Sequence, residues 1–338
     1  MKKHANIPIF IPHLGCPNQC VFCNQRAISG VEKFEADSVI PLIEEALSTI
    51  PSDYEKEIAF FGGSFTGIER ELMIKLLEIA EHYVRTERVS SIRCSTRPDY
   101  INEEIISILK KYSVKTVELG LQSCSDEVLR ITKRGHSFDA EKKASKLILD
   151  AGIELVGQMM IGLPSSTEES EEKTADFIIQ SGAQGARIYP TVVFYETELC
   201  EMALSGKYIP LSLDDAVIRS ARVMRKFIDA GVKVIRVGLC ASDNLLSDKT
   251  YYAGPNHPAL GELVENRIFY DIIRDELIKK QYKHKVKIFV PKGSLSKAVG
   301  QKKANKIKLE NEFFDLGITF SESTELSGYS ISVIEERL

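Results

Sequence analysis

Short apolar runs alternate with longer amphipathic stretches along most of the chain. The run IPIFIP (7–12) is followed by DSVIPLIEEALSTI (37–50), whose apolar residues recur at helical spacing. EIAFFGG (57–63) precedes a helical pattern over 68–85, and SIRCS (91–95) precedes one over 102–112. TVELGL (116–121) leads to helices over 126–133 and 138–151, and ELVGQMMIG (154–162) leads to one over 167–181. ARIYP (186–190) leads to 196–204 and 213–230, and VKVIRVG (232–238) closes the series. This alternation predicts an α/β fold, a parallel sheet covered by helices. Its six strand–helix units and a seventh strand suit a partial (βα)6 barrel of the TIM type, in which functional residues sit on loops at the carboxyl ends of the strands.

Beyond residue 238 the rhythm changes. A polar loop leads into a long helical pattern starting near Pro258, and 284–338 reads as strand, short helix, helix, strand, turn, strand. Three domains are expected: a barrel over 1–240, a connecting loop and helix over 241–283, and a small basic α+β appendage over 284–338.

Composition narrows the class. Of 338 residues, 43% are apolar and 27% charged, with a net charge of −4, which argues against a generally basic nucleic-acid binder and leaves a local basic patch open. No run is long and apolar enough for a membrane span, and the basic N-terminus lacks a signal-peptide cleavage pattern. The expected location is the cytoplasm, away from membranes. Seven cysteines is an odd number, and three of them crowd into HLGCPNQCVFCNQ (13–25). Such a grouping suits a metal or cluster better than a disulfide framework. Cys94, Cys124, Cys200 and Cys240 are scattered and read as small buried hydrophobes.

Cys16, Cys20 and Cys23 follow the spacing C-x3-C-x2-C directly after the first strand. A structural zinc site takes four ligands, with His13 as the candidate fourth. Three thiolates alone suit a [4Fe–4S] cluster with one iron left open. At these residues the chain resembles the radical S-adenosylmethionine (SAM) superfamily, whose signature C-x3-C-x-aromatic-C is matched by Cys16, Cys20, Phe22 and Cys23. The resemblance implies that the open iron chelates SAM, that one electron cleaves SAM to methionine and a 5′-deoxyadenosyl radical, and that the radical abstracts hydrogen from a substrate. A flavodoxin- or ferredoxin-type protein is the implied electron donor.

The same resemblance assigns cofactor contacts. Gly62, Gly63 and Ser64 end the second strand and correspond to the glycine pair facing the SAM amino group; an ordinary turn is the alternative. Arg97, held extended by Pro98, is a candidate for the SAM carboxylate or a substrate phosphate, or for an ion pair with Asp99. Gln122 reaches the SAM ribose or caps the next helix. Met160, Ile161 and Gly162 flank the adenine, or Met160 belongs to the core.

FFGGSF, STRPDYI, VELGLQS with VLRITKRGHS, GQMMIGLP and ARIYPTVVFYETEL together resemble the radical SAM domain of the elongator catalytic subunit family, over roughly 7–210. That family modifies carbon 5 of the wobble uridine of tRNA with acetyl-CoA as carbon source. Two features depart from it: the compact cysteine loop, and a segment after residue 283 too short for the family's acetyltransferase domain. The stretch 286–309 resembles a KH RNA-binding module, with Gly300, Lys302 and Lys303 in the position of its backbone-clamping loop; a solvated lysine face is the alternative. His257 is a candidate proton donor or a loop-packing residue, and Cys240 a candidate hydrogen-atom donor. The expected function is a radical SAM enzyme acting on RNA, in particular tRNA. The alternatives are a small-molecule or peptide substrate, or a non-catalytic metal-binding RNA adaptor.

Overall fold

Seven parallel strands form the main sheet: β1 (His4–Ile11), β2 (Glu55–Gly62), β3 (Ser91–Thr96), β4 (Val114–Gln122), β5 (Glu154–Ile161), β6 (Gly185–Pro190) and, after the two-residue strand β7 (Val193–Phe194), β8 (Lys233–Val237). They lie side by side in the order β1-β2-β3-β4-β5-β6-β8, all parallel. The computed structural model describes residues 3–11, 14–16, 20–24, 34–239 and 250–336. Helices occupy the crossovers, as a parallel sheet requires: Val39–Thr49, Arg70–Arg85, Glu103–Lys111, Asp126–Ile131 with Phe138–Asp150, and Glu168–Gln180. Local chemistry starts them. The Asn102 side chain accepts from Ile105 N–H at 2.9 Å, and Thr167 forms a reciprocal capping box with Ser170. The expected partial α/β barrel is the observed fold.

Side chains alternate across each strand. On β1, Ile7, Ile9 and Ile11 are buried on one face, while Asn6, Pro8 and Phe10 line a cavity on the other. The concave face carries charge. Glu57 on β2 accepts from Arg93 on β3 at 2.7 Å, and Arg93 donates to Glu118 on β4 at 3.0 Å. Arg187 on β6 donates to the same Glu118 oxygen at 2.9 Å, its Nε lies 2.7 Å from the other oxygen, and Gln158 on β5 donates to that other oxygen at 2.8 Å. All four charged residues are buried, Glu118 completely. Two carboxylates and two guanidiniums thus alternate across the sheet, each desolvated charge meeting its opposite.

The chain divides into two compact units, Met1–Ser212 with Lys226–Asn256, and Leu213–Arg225 with His257–Leu338. In the first unit β7 pairs antiparallel with β9 (Tyr251–Ala253), a ribbon that the apolar pattern did not announce because each strand is so short. In the second, β10 (Val286–Pro291) lies between β11 (Ile318–Ser323), parallel to it, and β12 (Ser332–Glu335), antiparallel. The helices Leu295–Val299 and Ala304–Glu312 connect β10 to β11, the element order expected from the sequence. The helix Leu260–Lys280, read from sequence as a connector, is part of this core: Phe269, Ile273 and Leu277 pack with Val286, Ile288, Val290 and Leu309. Among the described residues no helix is long and apolar enough to cross a membrane.

Removing Glu118 leaves the buried Arg187 guanidinium without its carboxylate and Arg93 with Glu57 alone. Glu118→Ala is expected to cost about 3–5 kcal/mol in urea unfolding. A loss under about 1 kcal/mol, the range of an exposed pair, contradicts this account of the sheet interior.

Candidate functional site

The cysteine loop is seated on the carboxyl end of β2 by backbone contacts. Gly63 N–H donates to Ile11 O at 2.8 Å, and Ser64 N–H to Leu14 O at 3.2 Å. A Cβ on Gly63 would overlap the Leu14 carbonyl, one on Gly15 the Ser64 carbonyl, and one on Gly62 would come within 2.9 Å of Ile11 O. The glycine pair is therefore demanded by the close approach of the loop. Val21 pins the far side: its N–H donates to Thr132 O at 3.2 Å, and its carbonyl accepts from Leu199 N–H at 2.8 Å. Phe22 packs beside Val21 on the apolar cluster of Val193, Leu199 and Tyr208. Cys23 N–H closes a turn onto Cys20 O at 3.0 Å.

Next to the loop, a cavity of about 600 Å³ opens on the concave face of the sheet. Phe22, Cys23, Gly62, Gln122 and Met160 all line it, so five of the residues singled out from sequence share one wall system. Gln122 reaches it from a bulge in the β4–β5 ladder, with a left-handed backbone at φ +71°. Residues that sequence reasoning passed over complete the lining: Asn6, Ser95, Glu118, Gln158, Arg187 and Arg236 supply polar groups, and Phe10, Phe61, Tyr189 and Phe194 supply rings. Their signal was present as charges and amides inside otherwise apolar strands, as in TVELGLQ and GARIYP. A parallel strand buried on both faces has no ordinary place for them.

Other expected residues lie behind the lining. Ser64 is fully buried; its hydroxyl bonds Thr96 Oγ1 at 2.8 Å and accepts from Arg97 N–H at 3.2 Å, tying β2 to the turn after β3. Arg97 is buried and forms the Asp99 pair in bidentate form, both contacts 2.9 Å, while Nη1 lies 3.9 Å from Cys20 Sγ and Nη2 also donates to Arg134 O. Burial opposes ionisation of Asp99, but His136 and Arg97 beside it outweigh that and hold its carboxyl well below the usual range. Ile161 is buried, and Gly162 donates to Glu171 at 2.6 Å and accepts from Tyr208 at 2.7 Å, so both face the fold and not the cavity.

Cys16 and Cys20 face Arg97, and burial pushes the Cys16 thiol up while Arg97 pulls it down. Among the described residues, no three His, Cys, Asp or Glu side chains converge as a ready-made metal site. Cys94 is fully buried, and burial and then the charge of Glu118 push its thiol up to about 12, which makes it inert. His13 and Cys240 lie outside the described residues. His257, Gly300, Lys302 and Lys303 belong to the second unit. There His257 Nδ1 accepts from Ala259 N–H at 3.1 Å, and Lys302 and Lys303 are exposed with left-handed backbones at φ 51° and 62°.

A model of the radical SAM superfamily matches residues 10–178, and one of the radical SAM C-terminal domain matches 183–285. The chain is 27% identical over 226 residues to a putative methylthiotransferase of Methanocaldococcus jannaschii, covering 61% of this chain and 49% of that one. It is 34% identical over 146 residues to the tRNA uridine(34) acetyltransferase of Methanocaldococcus infernus, covering 42% of this chain and 26% of that protein. The chain thus spans about half or less of these two relatives. In fold it is similar to the archaeal Methanocaldococcus infernus Elp3, with a TM-score of 0.59 and 23% identity over 83% of this chain and 64% of that one.

Beneath Arg97, His136 joins Asp99 at 3.6 Å to Glu141 at 3.1 Å. Burial pushes the Glu141 carboxyl from its ordinary 4.5 up to about 7, against the pull of His136. The folded chain thus keeps a proton that the unfolded chain has released. The stability this proton contributes is complete below pH 4.5 and is lost as pH rises through about 7. Urea midpoints are expected to fall between about pH 5 and about pH 8, and Glu141→Gln to remove that part of the fall. Parallel pH profiles for the two chains would rule out this assignment.

Proposed function

The chain belongs to the radical SAM superfamily, and on that premise we propose that it modifies RNA, with a tRNA nucleoside as the reacting group. The superfamily consists of enzymes whose cofactors are a [4Fe–4S] cluster and SAM. The residues of this chain fit both. Cysteine thiolates are the usual cluster donors, and three on one loop suit a cluster with one iron left open; buried guanidiniums of Arg97 and Arg134 face the Cys20 sulfur, and glycines at 15, 62 and 63 give the loop its seat. Cys16, Cys20 and Cys23 would hold the cluster. Phe22, Gly62, Gly63, Gln122 and Met160 would border SAM. Ser64, Ile161 and Gly162 would act from behind, through the backbone they hold in place, and Arg97 would turn Nη1 toward the cofactors while Asp99 fixes the rest of its fork. Bound there, the cofactors supply one-electron cleavage of SAM and hydrogen abstraction from the substrate.

The observation that carries the RNA reading is the cavity beside Cys23. Its rings, Phe10, Phe61, Tyr189 and Phe194, offer stacking faces, and Asn6, Ser95, Gln158 and Arg187 offer hydrogen bonds at the floor. Its volume of about 600 Å³ lies in the range of small-ligand sites. An unstacked base is read in this way, by stacking and by hydrogen bonds to its edge. The Glu118–Arg187 pair keeps the floor polar without leaving a free buried charge. The exposed lysines of the second unit support the reading. Lys302 and Lys303, without ion-pair partners among the described residues, would meet phosphates beside Gly300.

Anaerobic reconstitution is expected to give about four irons per chain, and Cys20→Ala to lose both the iron and SAM cleavage; stoichiometric zinc without iron would refute the cofactor assignment. Nucleoside profiles of total tRNA from a deletion strain are expected to lack one modification of the parent. A full complement there points to a small molecule or peptide. Lys302→Glu with Lys303→Glu is expected to weaken tRNA binding and flatten its salt dependence by about two units of slope.

A further inference from the structure

Arg134 follows the helix Asp126–Ile131 in the turn TKRGH, where Lys133 and Gly135 both have left-handed backbones, at φ 54° and 77°. That turn sends Lys133 outward, to Glu198, and Arg134 inward. The Arg134 guanidinium is buried; its Nη2 donates to Gly120 O at 2.7 Å, and its Nη1 lies 3.2 Å from Cys20 Sγ. Nε is buried with no hydrogen-bond partner. Among the described residues no carboxylate forms an ion pair with it, and Glu141, which feels its charge at longer range, is bonded to His136 instead.

This is an unusual state for an arginine. A buried cation is costly unless an anion faces it, and every other buried arginine among the described residues of the first unit has a carboxylate: Arg93 has Glu57 and Glu118, Arg97 has Asp99, Arg187 has Glu118. Among the described residues, the one group within hydrogen-bond reach of Arg134 that can carry negative charge is the Cys20 sulfur; Cys16 and Glu141 feel its charge at longer range. The pocket around Arg134 is therefore complete only when that sulfur belongs to an anionic centre.

We propose that Arg134 is a positioning residue for the iron–sulfur cluster, whose guanidinium donates to the Cys20 sulfur and raises the cluster's reduction potential. Hydrogen bonds to ligand sulfurs and local net charge are two of the determinants of such potentials. Reduction adds one electron and breaks no protein bond, so it makes the centre more negative by one charge. A fixed cation at 3.2 Å from a ligand sulfur stabilises the reduced form more than the oxidised one. Arg97 is farther away, at 3.9 Å, and its charge is balanced by Asp99, so its contribution is smaller. The effect concerns the redox couple and is independent of the substrate; it rests on the assignment of Cys16, Cys20 and Cys23 as ligands.

The test is a mediator titration with dithionite, followed by electron paramagnetic resonance, on reconstituted unsubstituted chain, Arg134→Gln, Arg134→Lys and Arg97→Gln, with iron measured in each. Arg134→Gln is expected to lower the equilibrium constant for reduction about tenfold, equivalent to about 59 mV for one electron. Arg134→Lys, which keeps the charge, is expected to lie between the two, and Arg97→Gln to shift less than Arg134→Gln. If Arg134→Gln takes up no iron and Arg134→Lys does, charge is again what separates them and the proposal stands. Equal potentials in all iron-loaded chains, or failure of both Arg134 variants to hold iron, overturns it. Failure of the unsubstituted chain to take up iron overturns the ligand assignment itself.

Discussion

Alternating charge across the concave face of the sheet is the constraint on which the site depends. A curved parallel sheet must fill the space it encloses, and this one fills the lower part with Glu57, Arg93, Glu118 and Arg187, each buried against its opposite. The chain of pairs crosses from β2 to β6 and adds buried side-chain contacts to the backbone ladder of the sheet. Above it, Glu118 and Arg187 become the floor of the cavity. The same side chains thus hold the sheet together and present a polar surface to whatever enters.

The cysteine loop is fastened by a different kind of contact. Backbone meets backbone where Ile11, Leu14 and Gly15 lie on Gly62, Gly63 and Ser64, and side chains there would prevent the approach. Val21 and Phe22 anchor the far side of the loop on the apolar cluster of Val193 and Leu199. The loop is thereby placed at the mouth of the cavity, with Cys23 on the lining and Cys20 turned toward two buried guanidiniums. Function and packing are not separable at these positions: Gly63 is required by the seat of the loop before it is required by any cofactor.

Much of this was legible in the chain itself. Short apolar runs and helical repeats located every strand of the main sheet, because a parallel sheet covered on both faces needs near-continuous apolar segments. The spacing of Cys16, Cys20 and Cys23 singled out the loop, and the structure places Phe22 and Cys23 of it on the cavity wall. The ribbon of β7 and β9 escaped because two or three residues carry no period. The helix Leu260–Lys280 looked like a connector because its apolar residues are spread around it, whereas Phe269, Ile273 and Leu277 pack into the core of the second unit.

What the sequence by itself determined is the element order and the place of the cysteine loop after the first strand, since both follow from local spacing of a few residue types. Only the tertiary structure decided how each candidate serves the site. It put Gln122 and Met160 on the cavity wall and turned Ile161 and Gly162 away from it, a distinction set by strand register and bulges. It also brought Arg134 to Cys20, although 114 positions separate them in the chain. Charges scattered singly through apolar strands have no meaning along the sequence. They acquire one when the sheet curves and brings their low-dielectric surroundings, and their opposite charges, within a few ångströms of each other.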